Sequence, residues 1–227
     1  MRRVIALLLA VSPLFYAVDE FETARLQMVR EHIEARGVGN SLVLEAMRST
    51  PRHLFVPPPY RSMAYGDYPL PIGYGQTISQ PYVVALMTEL LDPRPGDRVF
   101  EVGTGSGYQA AVLAQIVKEV DSIEIVPELA RNAAELLKQL GYKNVHVREG
   151  DGYKGWPERA PFDRIIITAA LPEVPKTLTD QLKRGGKLVA PIGEDLQQLV
   201  VIEKRSDGSL ECRGSIPVRF VPMVPGR

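Results

Sequence analysis

What this chain has little of narrows its chemistry first. Its 227 residues include one cysteine, Cys212, so no internal disulfide can form. Only three histidines are present, His32, His53 and His146, none spaced near other candidate ligands, and no metal site is expected. Charge of either sign is lacking in excess. Lys+Arg and Asp+Glu each total 27, which argues against a broad nucleic-acid footprint, though not against a local patch. The apolar stretch from Val4 to Tyr16, broken by Ser12-Pro13, falls short of the roughly 20 residues a membrane span needs. Internal repeats and low-complexity segments are absent from the sequence as well.

After Met1-Arg2-Arg3, that apolar stretch has the outline of a secretory signal, with Phe15 spoiling the small-residue pattern of a cleavage site. Residues 1–18 are therefore set apart as a signal or hydrophobic extension, and 19–227 are expected to form one domain. Apolar residues at helical spacing predict a helix over Glu20–Arg36, ended by Gly37-Val38-Gly39, and a short one over Leu42–Met47. Residues 51–81 are so dense in proline, glycine and tyrosine that an irregular but ordered loop is expected.

From Tyr82 onward the chain alternates. Helices are predicted over Tyr82–Leu91, Tyr108–Val117, Pro127–Leu140 and Pro175–Leu182, the last stopped by Gly185-Gly186. Strands are predicted over Arg98–Val102, Val120–Ile125, Val145–Arg148, Phe162–Thr168 and Lys187–Pro191. Leu196–Lys204 and Ser215–Val221 follow as strand candidates around an Asp207-Gly208 turn. This order means an α/β fold with a doubly wound, mostly parallel sheet, binding its ligand at the carboxyl ends of the strands, with an N-terminal helical and loop extension.

Where the first parallel strand ends, Glu101-Val102-Gly103-Thr104-Gly105-Ser106-Gly107-Tyr108 runs into a helix. Glycines let the backbone approach a ligand and take positive φ, and a helix start offers unpaired N–H groups. The G-x-G-x-G spacing differs from the dinucleotide fingerprint G-x-G-x-x-G. Glu124, closing the second strand, can accept both hydroxyls of a ribose. Gly150-Asp151-Gly152, after the third, suits the amino group and ring edge of an adenine. The glycine spacing and Glu101 favour S-adenosyl-L-methionine over a nicotinamide dinucleotide. The expected donor-binding residues are Glu101, Gly103, Thr104, Gly105, Ser106, Gly107, Glu124, Asp151 and Gly152.

Further blocks extend the pattern over nearly the whole chain: Pro51-Arg52-His53-Leu54-Phe55-Val56-Pro57, Pro69-Leu70-Pro71-Ile72-Gly73, Gly75-Gln76-Thr77-Ile78-Ser79-Gln80-Pro81-Tyr82 and Val218-Arg219-Phe220-Val221-Pro222. With these, the sequence resembles the protein-L-isoaspartate O-methyltransferases. The resemblance implies methyl transfer from S-adenosyl-L-methionine to the free α-carboxylate of an isoaspartyl residue, the ester then collapsing to a succinimide. It implies Ser79 at the active site and the Val218–Pro222 segment against the substrate backbone. Thr77, Ile78, Gln80, Val218, Arg219 and Phe220 are the expected substrate-binding residues. Asn40, where an acidic residue is common, reads as a surface detail.

A carboxylate nucleophile is already ionised at neutral pH, so no general base is missing. Ser79 is assigned an orienting hydrogen bond rather than nucleophilic attack; the competing reading is a helix cap. Rival functions are a nicotinamide-dependent dehydrogenase, a nucleic-acid N-methyltransferase, a binding module and a methyltransferase for another small or protein substrate. Thr168-Ala169-Ala170-Leu171-Pro172 lacks the amide that the nucleic-acid enzymes place there to hold a base. The partners expected are isoaspartyl peptides and proteins, with neither nucleic acid nor stable membrane association, and the chain is expected to act as a cytoplasmic monomer, or in the periplasm if residues 1–18 are a signal.

Overall fold

The computed structural model describes residues 19–226, so the hydrophobic extension over residues 1–18 lies outside the described residues. Chain order begins with helix α1 (Glu20–Met28), which continues through a π turn (Val29–Ile33) and a 3-10 turn (Glu34–Arg36) until Gly37 turns left-handed at φ 96°. Asp19 caps its start by accepting from the Phe21 amide. Helix α2 (Ser41–Ser49) is capped by Asn40, whose Oδ1 accepts from the Leu42 and Val43 amides. Asn40 is thus a structural cap rather than a surface detail.

The proline-rich stretch is more regular than its composition predicts. Two 3-10 turns (Arg52–Phe55 and Pro58–Met63) lead into a hairpin of β1 (Leu70–Gly73) and β2 (Gln76–Ile78). Three register pairs suffice because Gly73 and Gly75 take positive φ at the tip. Arg52 donates from Nε to the Ala64 carbonyl at 2.8 Å and the His53 ring meets the Tyr65 hydroxyl at 2.7 Å, ordering this segment.

Helix α3 (Pro81–Leu91) precedes β3 (Arg98–Val102), α4 (Tyr108–Ala114), β4 (Glu119–Glu124), α5 (Pro127–Gln139), β5 (Val145–Glu149), β6 (Phe162–Ile167), α6 (Lys176–Gln181), β7 (Leu182–Ile192), β8 (Gln197–Lys204) and β9 (Leu210–Val218). One seven-stranded sheet runs β5-β4-β3-β6-β7-β8-β9. Its first five strands are parallel and the last two pairings antiparallel. The chain leaves β3 toward β4 and β5, then returns to β6 on the other side. This puts the switch point at the carboxyl ends of β3 and β6.

Buried apolar residues line both sheet faces. Val99, Val120, Ile166 and Val189 face the N-terminal helices with α3 and α4; Phe100, Val102, Ile165 and Ile167 face α6. No helix among the described residues is long and apolar enough to cross a membrane.

Most boundaries shift by one to three residues, as at α4, which stops at Ala114 instead of Val117, and the larger differences lie after β6. Helix α6 stops at Gln181, and Gly185-Gly186 lie inside β7 instead of ending it. Gly186 is needed there because a Cβ would meet the Asp163 and Lys183 carbonyls at 2.8 Å. Strand β9 starts and ends earlier than predicted. The histidine expectation also changes. Parallel register sets His146 beside Asp121, and with Glu119 they form the kind of cluster that spacing along the chain hid. Arg98 and Arg159 pair with both carboxylates at 2.6–3.3 Å, so the cluster balances its charge with guanidinium groups.

Candidate active site

Gly103, Gly105 and Gly107 all adopt positive φ, at 98°, 52° and 85°. At Gly103 a Cβ would stand 2.5 Å from the Thr168 Oγ1, so both conformation and space demand glycine. The loop is fastened by backbone. The Gly103 amide donates to the Ile123 carbonyl at 2.9 Å, and Thr168 donates from its hydroxyl to the Gly103 carbonyl at 2.6 Å. Glu124 closes the turn from β4: its Oε2 accepts from the Gly105 amide at 2.8 Å and its Oε1 from the Val126 amide at 3.0 Å. Each oxygen keeps acceptor capacity beyond that bond, and Glu124 lines the adjoining cavity.

That cavity is lined by Gly103–Ser106, Glu124, Gly152 and Thr77–Ser79. A second lies between the start of α3 and the end of β9. It is lined by Gln80, Tyr82, Val218, Arg219 and Phe220, among others. The two share Thr77, Ser79, Thr168 and Val221. A half-buried Ser79 therefore stands where two chambers meet.

The helix-cap reading of Ser79 does not match this geometry. The cap position of α3 is Gln80, and it makes no side-chain cap bond. Instead Asp67 accepts from the Tyr82 amide at 3.3 Å and from Gln80 Nε2 at 2.8 Å. On the opposite wall, Gln197 clasps Phe220 twice, accepting from its amide at 2.6 Å and donating to its carbonyl at 3.1 Å.

Three expected donor residues stand behind the wall. Glu101 is fully buried and accepts from the Ser122 hydroxyl, which in turn meets the Thr104 hydroxyl at 2.6 Å. Burial pushes its carboxyl up to about 8, with Ser122 opposing and Glu124 adding to the rise. Its Oε1 has no partner among the described residues. Gly107 is the cap of α4, packed against Ala133 and Leu137. Asp151 accepts from the Tyr153 amide at 2.9 Å, leaving its neighbour Gly152 to line the cavity.

Sequence reasoning missed Gln76, Gln109, Met223 and Val224, which also line the first cavity, and expected Val221 and Pro222 against the substrate rather than on this wall. The Val221–Val224 segment is held by Ala170, whose amide donates to the Val221 carbonyl at 2.8 Å and whose carbonyl accepts from Met223. No periodicity marks such a wall; the proline-flanked block at Val218–Pro222 was the available signal.

Residues 23–227 match the family model described as protein-L-isoaspartate(D-aspartate) O-methyltransferase. A protein-L-isoaspartate O-methyltransferase of Synechococcus sp. is 53% identical over 216 residues, covering 92% of this chain and 88% of its own. One from Gloeobacter violaceus is 52% identical, covering 87% of this chain and 97% of its own. A solved protein-L-isoaspartate O-methyltransferase superposes with a TM-score of 0.80 at 31% identity, over 87% of this chain and 65% of that longer one. A Plasmodium falciparum structure in complex with S-adenosyl-L-homocysteine, described as a beta-aspartate methyltransferase, gives 0.76 at 27% identity, over 88% and 98%.

Proposed function

The chain belongs to the protein-L-isoaspartate O-methyltransferase family, and we propose on that footing that it methylates the free α-carboxylate of isoaspartyl residues in damaged peptides and proteins. The observation that carries the reading is the meeting of two chambers at Ser79 and Thr77, one walled by the glycine turn and Glu124, the other by Val218–Phe220.

S-adenosyl-L-methionine supplies an electrophilic methyl group when bound. The residues present fit such a donor: a turn of glycines at positive φ that brings bare backbone to the cavity, Glu124 for a ribose, and Gly152, where Val102 and Met223 leave no space for a Cβ. Gly103, Thr104, Gly105 and Ser106 would hold it with Glu124 and Gly152.

Ser79 and Thr77 offer neutral hydroxyls to the acceptor carboxylate. A neutral partner suits a reaction in which opposite charges cancel, since a fixed charge would stabilise the separated ions more than the transition state. Holding the acceptor in line and excluding water contribute the main effect. Gln80, Val218, Arg219 and Phe220 bind the peptide on either side, with Ile78 at the boundary. Residues 19–227 act as one domain, a cytoplasmic monomer working where the donor is made, with no nucleic-acid partner.

The test is labelled methyl transfer to a matched pair of aspartyl and isoaspartyl peptides. Label on the isoaspartyl peptide alone is expected. Equal labelling of both, or of neither, sinks the reading.

A further inference from the structure

Two guanidinium groups line the acceptor chamber, Arg219 on the peptide-binding segment and Arg36 against Tyr82. Among the described residues no carboxylate lines that chamber. A guanidinium free to move there would take a carboxylate ligand bidentately. Arg36 is already engaged. Its Cζ lies 3.5 Å from the centroid of the Tyr82 ring, and its Nη1 donates to Asp67 Oδ2 at 2.6 Å. Asp67 sits behind the wall, mostly buried, and also receives Gln80 Nε2 and the Tyr82 amide.

We propose that Asp67 is a positioning residue for methyl transfer: it holds Arg36 flat on Tyr82 and off the acceptor carboxylate. The proposal rests on the functional reading above. The physical reason is differential binding. An arginine–carboxylate pair is strongest while the carboxylate carries its full charge and weakens as that charge is lost to the ester. Such a pair would tighten substrate binding and slow the chemical step together. Asp67 satisfies Arg36 in advance, so the arginine keeps its packing role on Tyr82 without trapping the substrate.

The experiment compares the parent protein, Asp67→Asn, Arg36→Gln and the double variant on an isoaspartyl peptide at saturating donor. Asparagine keeps an acceptor for the Tyr82 amide but gives up the charge that restrains Arg36. Asp67→Asn is expected to lower kcat roughly tenfold and to lower KM in the same experiment, the signature of tighter ground-state binding. S-adenosyl-L-homocysteine should bind it as it binds the parent, and the double variant should recover most of kcat. A merely structural role predicts a raised KM and no recovery in the double variant, and that result, or an unchanged KM, overturns the proposal. If Asp67→Asn does not fold, Asp67→Ser carries the same two expectations. The parent assayed on the aspartyl and isoaspartyl pair separates the failures: loss of discrimination there removes the functional reading, whereas a discriminating parent with the wrong kcat and KM pattern removes only the role of Asp67.

Discussion

Around the donor chamber the ties are made by backbone: the Gly105 and Val126 amides on Glu124, the Gly103 amide on Ile123, three glycines at positive φ. Across the acceptor chamber they are made by side chains reaching far along the sequence: Gln197 to Phe220, Asp67 to Gln80, Arg36 to Asp67. A wall built from main chain tolerates few substitutions at its glycines but is indifferent to many side chains beside them. A wall built from side chains can be adjusted one residue at a time, which suits a surface that must accept many protein contexts around one altered residue.

The comparison breaks most sharply at Gly103. Gly103→Ala combines a strained φ with a clash on Thr168, each costing on the order of 1–3 kcal/mol, so S-adenosyl-L-homocysteine affinity should fall by roughly 100-fold or more. Calorimetric titration reads this; retained affinity would mean the cradle has slack. Next comes the junction. Ser79→Ala should lower kcat by roughly 10–100-fold, the worth of a hydrogen bond to a charged group, while donor affinity stays within about twofold. Equal losses in both would place Ser79 in the donor wall rather than between the walls. On the acceptor side, Gln197→Ala frees Phe220 and should raise the peptide KM by about three- to tenfold with kcat and donor affinity nearly unchanged. Steady-state kinetics at saturating donor decides it.

The smallest effect concerns the buried carboxyl beneath the donor wall. Glu101 keeps its proton in the folded protein up to about pH 8, whereas an unfolded glutamate loses it near 4.5. The folded state therefore holds the extra proton between those values, and stability falls as pH rises through that window. Glu101→Gln removes the dependence. Its melting temperature relative to the parent should climb from pH 5 to pH 8 in the absence of donor; parallel curves would mean Glu101 ionises freely in the fold.

These two walls were also unequally legible. Strand β3 and the turn after it could be read directly, because a parallel strand is a run of apolar residues and a ligand-approaching loop must spend glycines. Glu124 could be found by its place at a strand end. The acceptor wall was found only as motif blocks, since nothing local in Asp67 or Gln197 says which backbone it will hold. The β1–β2 hairpin was hidden by prolines that normally exclude strands but here sit at an isolated, two-stranded edge. Gly185 and Gly186 read as a helix stop because the close approach of Asp163 to β7 belongs to the sheet, not to the sequence around them.

The Val221–Val224 wall makes the donor pocket separable from the sheet. It follows every strand of the sheet in the chain, so a chain cut after β9 could keep the sheet while the donor chamber lacks a side. A chain truncated after Val218 would retain the residues of all nine strands and Glu124, and yet the pocket would stand open toward Ala170. Completing the sheet and completing the methyl-donor pocket thus depend on different parts of the chain, the second on a few residues that belong to no helix or long strand.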